Sequence, residues 1–291
     1  MTLTIPSNTN ASISLEEYID FCDAEPDLQD RERVLAGAGR LRELANNRRF
    51  LADYFNGQMR ALASFQEGND FKPSTFILHR GRGYAVRAVV WLPAAEADNP
   101  EIFSYYETHD HNFDFLTCGY HGPGYRTLLY RYDHDRVVGY TGEPVALEFL
   151  EDTTLPPGKR MYYFASEDVH TQLPPESLSI SLNLILPRPP ERRRAQYEFD
   201  AAAGTVLSPF ADMRMRGLVF AAVRHVGDEN SLDILSTLAR RHGDPRTRAL
   251  AWETLLRWRP AGAEEHLSAA LGDPSPLVRE LTRRAYERAA G

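Results

Sequence analysis

Tyr105-Tyr-Glu-Thr-His-Asp-His-Asn-Phe-Asp-Phe115 decides the reading of this chain. As a strand, the segment sends His109, His111, Phe113 and Phe115 to one face and Asp110 and Asn112 to the other, and places the two imidazoles about 7 Å apart. That is half a metal site, with an apolar floor that would keep it dry. The other half is expected from Leu155-Pro-Pro-Gly-Lys-Arg-Met-Tyr-Tyr-Phe-Ala-Ser-Glu-Asp-Val-His170, where a Pro-Gly turn opens a short aromatic strand that ends on a histidine. Together the two segments predict a pocket of three histidines, His109, His111 and His170.

Around them, from Phe76 onward, short stretches rich in Tyr, Phe, Val and Leu are punctuated by glycine and proline turns, the pattern of a sandwich or barrel. Leu178-Ser-Ile-Ser-Leu-Asn-Leu-Ile-Leu186 alternates apolar and small polar residues, as a half-buried strand does. Pro187-Arg-Pro-Pro190 ends this region, because proline cannot donate to a ladder and restricts the residue before it. Residues 14 to 66 read as helical, with Ser14 and Glu17 spaced as a capping box. From Ser208 the chain is helical again and repeats itself. Arg216-Gly-Leu, Arg248-Ala-Leu and Arg279-Glu-Leu recur at spacings of 32 and 31 residues, with Gly243-Asp-Pro and Gly272-Asp-Pro at the turns. The division predicted is a helical segment over 1–75 packing on a barrel over 76–190, a linker over 191–207 and a helical repeat domain over 208–291. The fold class is α+β.

The balance of residues narrows the partners. A net charge of −8, and no long basic run outside Arg192 to Arg194, leave little phosphate attraction, so nucleic acid is not expected. Cys22 and Cys118 build neither a disulfide framework nor a zinc knuckle. The N-terminus carries no leader pattern and no stretch is long enough to span a bilayer, which predicts a cytoplasmic protein without a membrane partner.

In their order, these parts resemble the cupin superfamily over roughly residues 76–190. His109 and His111 match the histidines of its first motif, Pro157 and Gly158 the turn of its second, His170 the ligand that follows, and Asn183 its trailing asparagine. The resemblance implies a double-stranded β-helix, or jelly roll, holding a mononuclear metal. It also implies a fourth ligand, often a glutamate soon after the second histidine. Here that neighbourhood reads Asn112-Phe-Asp-Phe-Leu116, which leaves a three-histidine site of the thiol dioxygenase kind, or one completed by Asp114 through a bulge. The Asp-Pro turns and Pro-x-x-Arg helix starts of residues 208–291 resemble short HEAT-like repeats, which imply a docking surface for a protein partner or a homodimer contact.

Imidazole ligands suit Fe(II), Ni, Cu and Zn alike; the open face and the resemblance favour Fe(II), with Zn, Ni, Mn and Cu also compatible. Open positions on such a face favour an oxygenase acting on a small polar substrate, amino-acid-like or carrier- or peptide-linked. The alternatives are a non-catalytic binding module that signals through the helical tail, and a metal-dependent isomerase or hydrolase. Arg80, Arg82, Arg87, Arg126 and Arg131 are candidates to clamp a substrate carboxylate, and Tyr105, Tyr125, Tyr130, Tyr162 and Tyr163 to orient a ligand or move a proton. Tyr125 and Arg126, after a Gly-Pro-Gly turn close to the ligand strand, are the first choices for catalytic residues. His121 reads as a turn residue beside the pocket. Cys118 invites comparison with the cysteine-tyrosine cross-link of the cysteine dioxygenases, although no spacing selects its tyrosine.

Overall fold

The computed structural model describes residues 2–6, 9–67, 69, 72–97, 100–189, 194–209, 211–258 and 262–290. Pro190, Arg192 and Arg193 lie outside them. The chain divides into two compact units, residues 1–134 with 146–196, and residues 135–145 with 197–291.

The first unit opens with strand β1 (Leu3–Thr4) and four helices, α1 (Leu15–Ala24), α2 (Arg31–Gly37), α3 (Gly39–Asn46) and α4 (Phe50–Arg60). Ser14 caps α1 in the expected box: its hydroxyl accepts from the Glu17 amide at 3.1 Å, and its own amide donates to the Glu17 carboxylate at 2.7 Å. Strands β2 (Thr75–Gly81), β3 (Tyr84–Trp91), β4 (Thr108–Asp110), β5 (Phe113–His121), β6 (Arg126–Arg131), β7 (Glu148–Thr154), β8 (Arg160–Tyr163), β9 (Asp168–Leu173) and β10 (Ser179–Pro187) follow. One antiparallel sheet has the order β1-β8-β5-β10-β3-β2, and the other runs β4-β9-β6-β7. From β3 to β10 the chain therefore weaves between two facing sheets, β8-β5-β10-β3 and β4-β9-β6-β7. This is the connectivity of a jelly roll.

The two faces of the first sheet have different neighbours. Outward, Val86, Ala88, Leu116, Cys118, Tyr162, Leu182, Leu184 and Leu186 form one core with Tyr18, Leu41, Leu44 and Leu51 of the helices. Each fully buried leucine there contributes about 2 kcal/mol, so the helical layer holds the outer face of the sheet. Arg31 of α2 adds a two-pronged ion pair to Asp114 at 3.0 and 3.1 Å. Inward, Ala85, Val89, Phe115, Met161, Tyr163 and Ile185 meet Leu129 of the second sheet. The alternating run on β10 is accordingly buried on both faces, not half-buried. Its leucines face the helices, and Ser181, Asn183 and Ile185 share the inward parity.

In the second unit the segment expected as a linker carries a hairpin of β11 (Tyr197–Asp200) and β12 (Thr205–Pro209). Helices α5 (Ala211–Val226), α6 (Glu229–Arg241), α7 (Pro245–Trp258), α8 (Ala263–Leu271) and α9 (Pro276–Ala290) follow. They bury Leu235, Ala239, Ala249, Trp252, Leu255 and Val278 together. The recurring arginines meet the recurring Asp-Pro turns: Arg216 reaches Asp244 at 2.9 Å, and Arg248 grips Asp273 with two bonds of 2.7 and 2.8 Å. Among the described residues no helix is long and apolar enough to cross a membrane.

Candidate metal centre

The chain leaves one sheet and enters the other between Asp110 and Phe113, so His109 ends on β4 whereas His111 lies in the crossing. The two histidines do not share one continuous strand, contrary to the simplest reading of their spacing. Both nevertheless meet His170. Ladder pairing sets His109 directly opposite His170, and the His111 carbonyl is fixed by the Ser166 amide at 2.8 Å. The His170 Nε2 lies 3.2 Å from the His109 Nε2 and 3.0 Å from the His111 Nε2. All three side chains offer ring nitrogens within 4.8 Å of one another.

These distances suit a shared ion. Donors about 2.1 Å from a metal sit roughly 3.0 Å apart at right angles and about 3.4 Å apart at tetrahedral corners. The His109 Nδ1–H donates to the Glu107 carbonyl at 3.0 Å, which places the lone pair on Nε2, toward the other two rings. Burial holds His111 and His170 well below the usual imidazole range, and the neighbouring His109 and Arg87 charges push the same way. Both rings are therefore neutral at pH 7, the state in which imidazole binds metal. The Nδ1 atoms of His111 and His170 are buried without hydrogen-bond partners.

Phe113 and Phe115 flank the centre as expected, their rings 4.6 and 5.1 Å from that of His111. Tyr163 stacks on Phe115 at 4.4 Å and meets His170 at 5.0 Å. Asp110 points away and accepts from the Tyr132 hydroxyl at 2.6 Å. Asp114 also lies on the far side of the sheet, where it binds Arg31, Arg188 and the Ala165 amide. No bulge turns it inward, so it is not a fourth ligand.

The sequence-predicted catalytic pair separates. Tyr125 is buried against the Trp91 ring at 4.3 Å, and burial pushes its phenol up to about 12. Arg126 is not brought to the site: it is exposed and paired with Asp152. Leu129 is opposite His170 in the ladder and faces inward, so Arg126, three residues earlier, takes the opposite parity. Arg80, Arg82 and Arg131 are exposed as well. Arg87 takes the inward parity of Ala85 and Val89, opposite Asn183 in the ladder. Its charge bears on His111, His170 and Tyr125, and burial lowers its own pKa to about 10. Thr117, Thr127 and Gln172, which sequence reasoning missed, add buried polar groups: the two hydroxyls lie beside the Tyr125 and Tyr163 phenols, and the Gln172 side-chain oxygen is buried without a hydrogen-bond partner. Their two-residue steps from Phe115, Leu129 and His170 were the available signal. His121 lies exposed at the end of β5, and Cys118 faces the helices.

No family model matches this chain, and no curated protein matches it in sequence. Among solved structures it is similar to DMSP lyases (RdDddP and RnDddQII) at 14% identity, over 43% of this chain and 52% of that one, with a TM-score of 0.27. The match thus spans about half the length of that chain. It is similar to hydroquinone 1,2-dioxygenase PnpCD, in complex with Cd2+ and 4-hydroxybenzonitrile, at 12% identity over 42% and 68%, with a TM-score of 0.27. A cupin-2 domain containing protein from Shewanella frigidimarina NCIMB 400 is similar at 13% identity over 46% and 92%, with a TM-score of 0.24. These likenesses are distant, and the chemistry of the site rests on its own residues.

Proposed function

We propose that the first unit is a cupin-type oxygenase in which His109, His111 and His170 hold one Fe(II), and that its substrate is a small anionic molecule, amino-acid-like or linked to a carrier or peptide. The observation that carries this is the convergence of the ring nitrogens of His109, His111 and His170 within 4.8 Å of one another, with the Arg87 charge bearing on His111 and His170. Iron in such a site supplies dioxygen activation, which no side chain provides. The residues of this chain supply the rest. Arg87 binds the substrate's carboxylate with its planar fork. Tyr125 and Tyr163, both held protonated by burial, donate hydrogen bonds to bound groups. The Phe113 and Phe115 rings exclude water beside the histidines. In the second unit, the Arg–Asp contacts between successive helical turns support a HEAT-like repeat that docks a protein partner or a second copy.

Metal content tests the site independently of any substrate. Untagged protein, measured by mass spectrometry, is expected to carry near-stoichiometric iron that is lost in His109→Ala, His111→Ala and His170→Ala. Failure to take up iron even after anaerobic Fe(II) loading would overturn the oxygenase and leave a binding module. Preferential zinc would replace it with a hydrolase or isomerase working through bound water.

A further inference from the structure

Three arginines gather on the opposite face of the first sheet, away from the histidines. Arg160 of β8 is paired in the ladder with Cys118 of β5. Arg42 comes from α3 and Arg48 from the turn after it. All three charges bear on the Cys118 thiol, Arg42 most strongly. Arg160 is 1% exposed; one terminal nitrogen donates to the Ile5 carbonyl at 3.1 Å, but its Nε–H is buried without an acceptor. The Nε–H of half-buried Arg42 is likewise buried without an acceptor. Arg48 donates to the Tyr120 carbonyl. Among the described residues, none of the three is paired with a carboxylate.

Neighbouring guanidinium groups without a counter-charge are unfavourable in a medium that screens poorly. Burial, and then the Arg42 charge, lower the pKa of Arg160. Cys118 cannot provide the missing charge, because burial pushes its thiol up to about 12 and leaves it neutral at pH 7. The turn below the cluster makes room for the Arg42 side chain itself. Gly158 has φ +84°, and a Cβ there would fall on the Arg42 guanidinium.

We propose that Arg42, Arg160 and Arg48 form an oxyanion site for a phosphate group, seated between α3 and the Pro156–Lys159 turn. The terminal nitrogens of half-buried Arg42 and exposed Arg48 are its donors, and buried Arg160 supplies the charge beneath them. Phosphate fits because it offers several acceptor oxygens and two charges to a set of forked donors. The bound group ties a helix of the outer layer to the turn that precedes β8.

The test is thermal unfolding of the full chain in inorganic phosphate against sodium chloride at matched ionic strength, with binding followed by calorimetry. A saturable rise in Tm specific to phosphate is expected. Arg42→Met should bind phosphate roughly tenfold more weakly, the weight of one charge-assisted contact, and Arg42→Lys should recover part of the loss. Arg48→Met provides a second, exposed variant expected to weaken binding by less. Metal uptake at the histidines serves as the folding control for all three. Glycerol phosphate binding as well as inorganic phosphate assigns the site to the phosphate group itself, and glycerol phosphate binding alone assigns it to a phosphate ester. An equal rise in chloride, or an undiminished phosphate response in Arg42→Met, would overturn the site.

Discussion

At the scale of single residues, the side of the sheet on which a charge sits decides its role. Arg87 and Arg126 are both strand arginines of the first unit, but only Arg87 faces inward. We expect Arg87→Met to keep full metal content while raising the KM of an anionic substrate, found by oxygen-uptake screening, about a hundredfold, since a buried charge-assisted contact is worth about 3 kcal/mol. Arg126→Ala should leave both unchanged, because the Arg126 to Asp152 pair is exposed. Loss of KM discrimination in Arg126→Ala but not in Arg87→Met would reverse the assignment. Asp114 is the complementary case. Its carboxylate accepts from two arginines and an amide on the outer face, so Asp114→Ala is expected to lower unfolding free energy in urea by about 2–3 kcal/mol with no loss of bound metal. A fall in metal content at preserved stability would restore Asp114 as a ligand.

At the scale of elements, the sequence displayed its periods more clearly than its faces. The three histidines were legible because His-x-His and the later Pro-Gly-strand-His segment are local patterns whose order survives folding. The crossing between β4 and β5 was not, since two residues of non-strand backbone leave no mark on alternation. Which face of β10 looked inward was hidden for a related reason: leucines alternating with Ser181 and Asn183 fit a polar exterior as well as a polar pocket beneath a helical layer. Strand β1 has only two residues, too few for any period. The arginine repeat was legible by spacing, and the Arg248 to Asp273 pair shows what it does. The Arg248 hydrogen bonds hold Asp273 below the usual carboxylate range. A depressed carboxylate stabilises the fold above its unfolded pKa of about 3.9, and that stability is lost as pH falls through the folded value. We therefore expect Asp273→Asn to cost about 1–2 kcal/mol at pH 7 and the gap from wild type to close as pH falls through the depressed folded value, read from urea unfolding monitored by tryptophan fluorescence. A pH-independent gap would assign the loss to packing instead.

At the scale of the whole molecule, two compact units with separate cores give metal binding a location in a melting curve. An ion that binds the folded histidine site and not the unfolded chain stabilises the first unit by about 2.7 kcal/mol at a hundredfold excess over Kd. For a unit of this size that corresponds to a Tm rise of roughly 5–10 °C. The second unit contains none of the three histidines, so a transition belonging to it should not move. We expect anaerobic Fe(II), followed calorimetrically, to shift one of two transitions and a chelator to return it, with His170→Ala abolishing the shift. If both transitions rise together, the units unfold as one cooperative body. If neither rises, the convergence of His109, His111 and His170 is a packing feature, because a site that binds a metal only in the native state cannot leave the stability of that state unchanged.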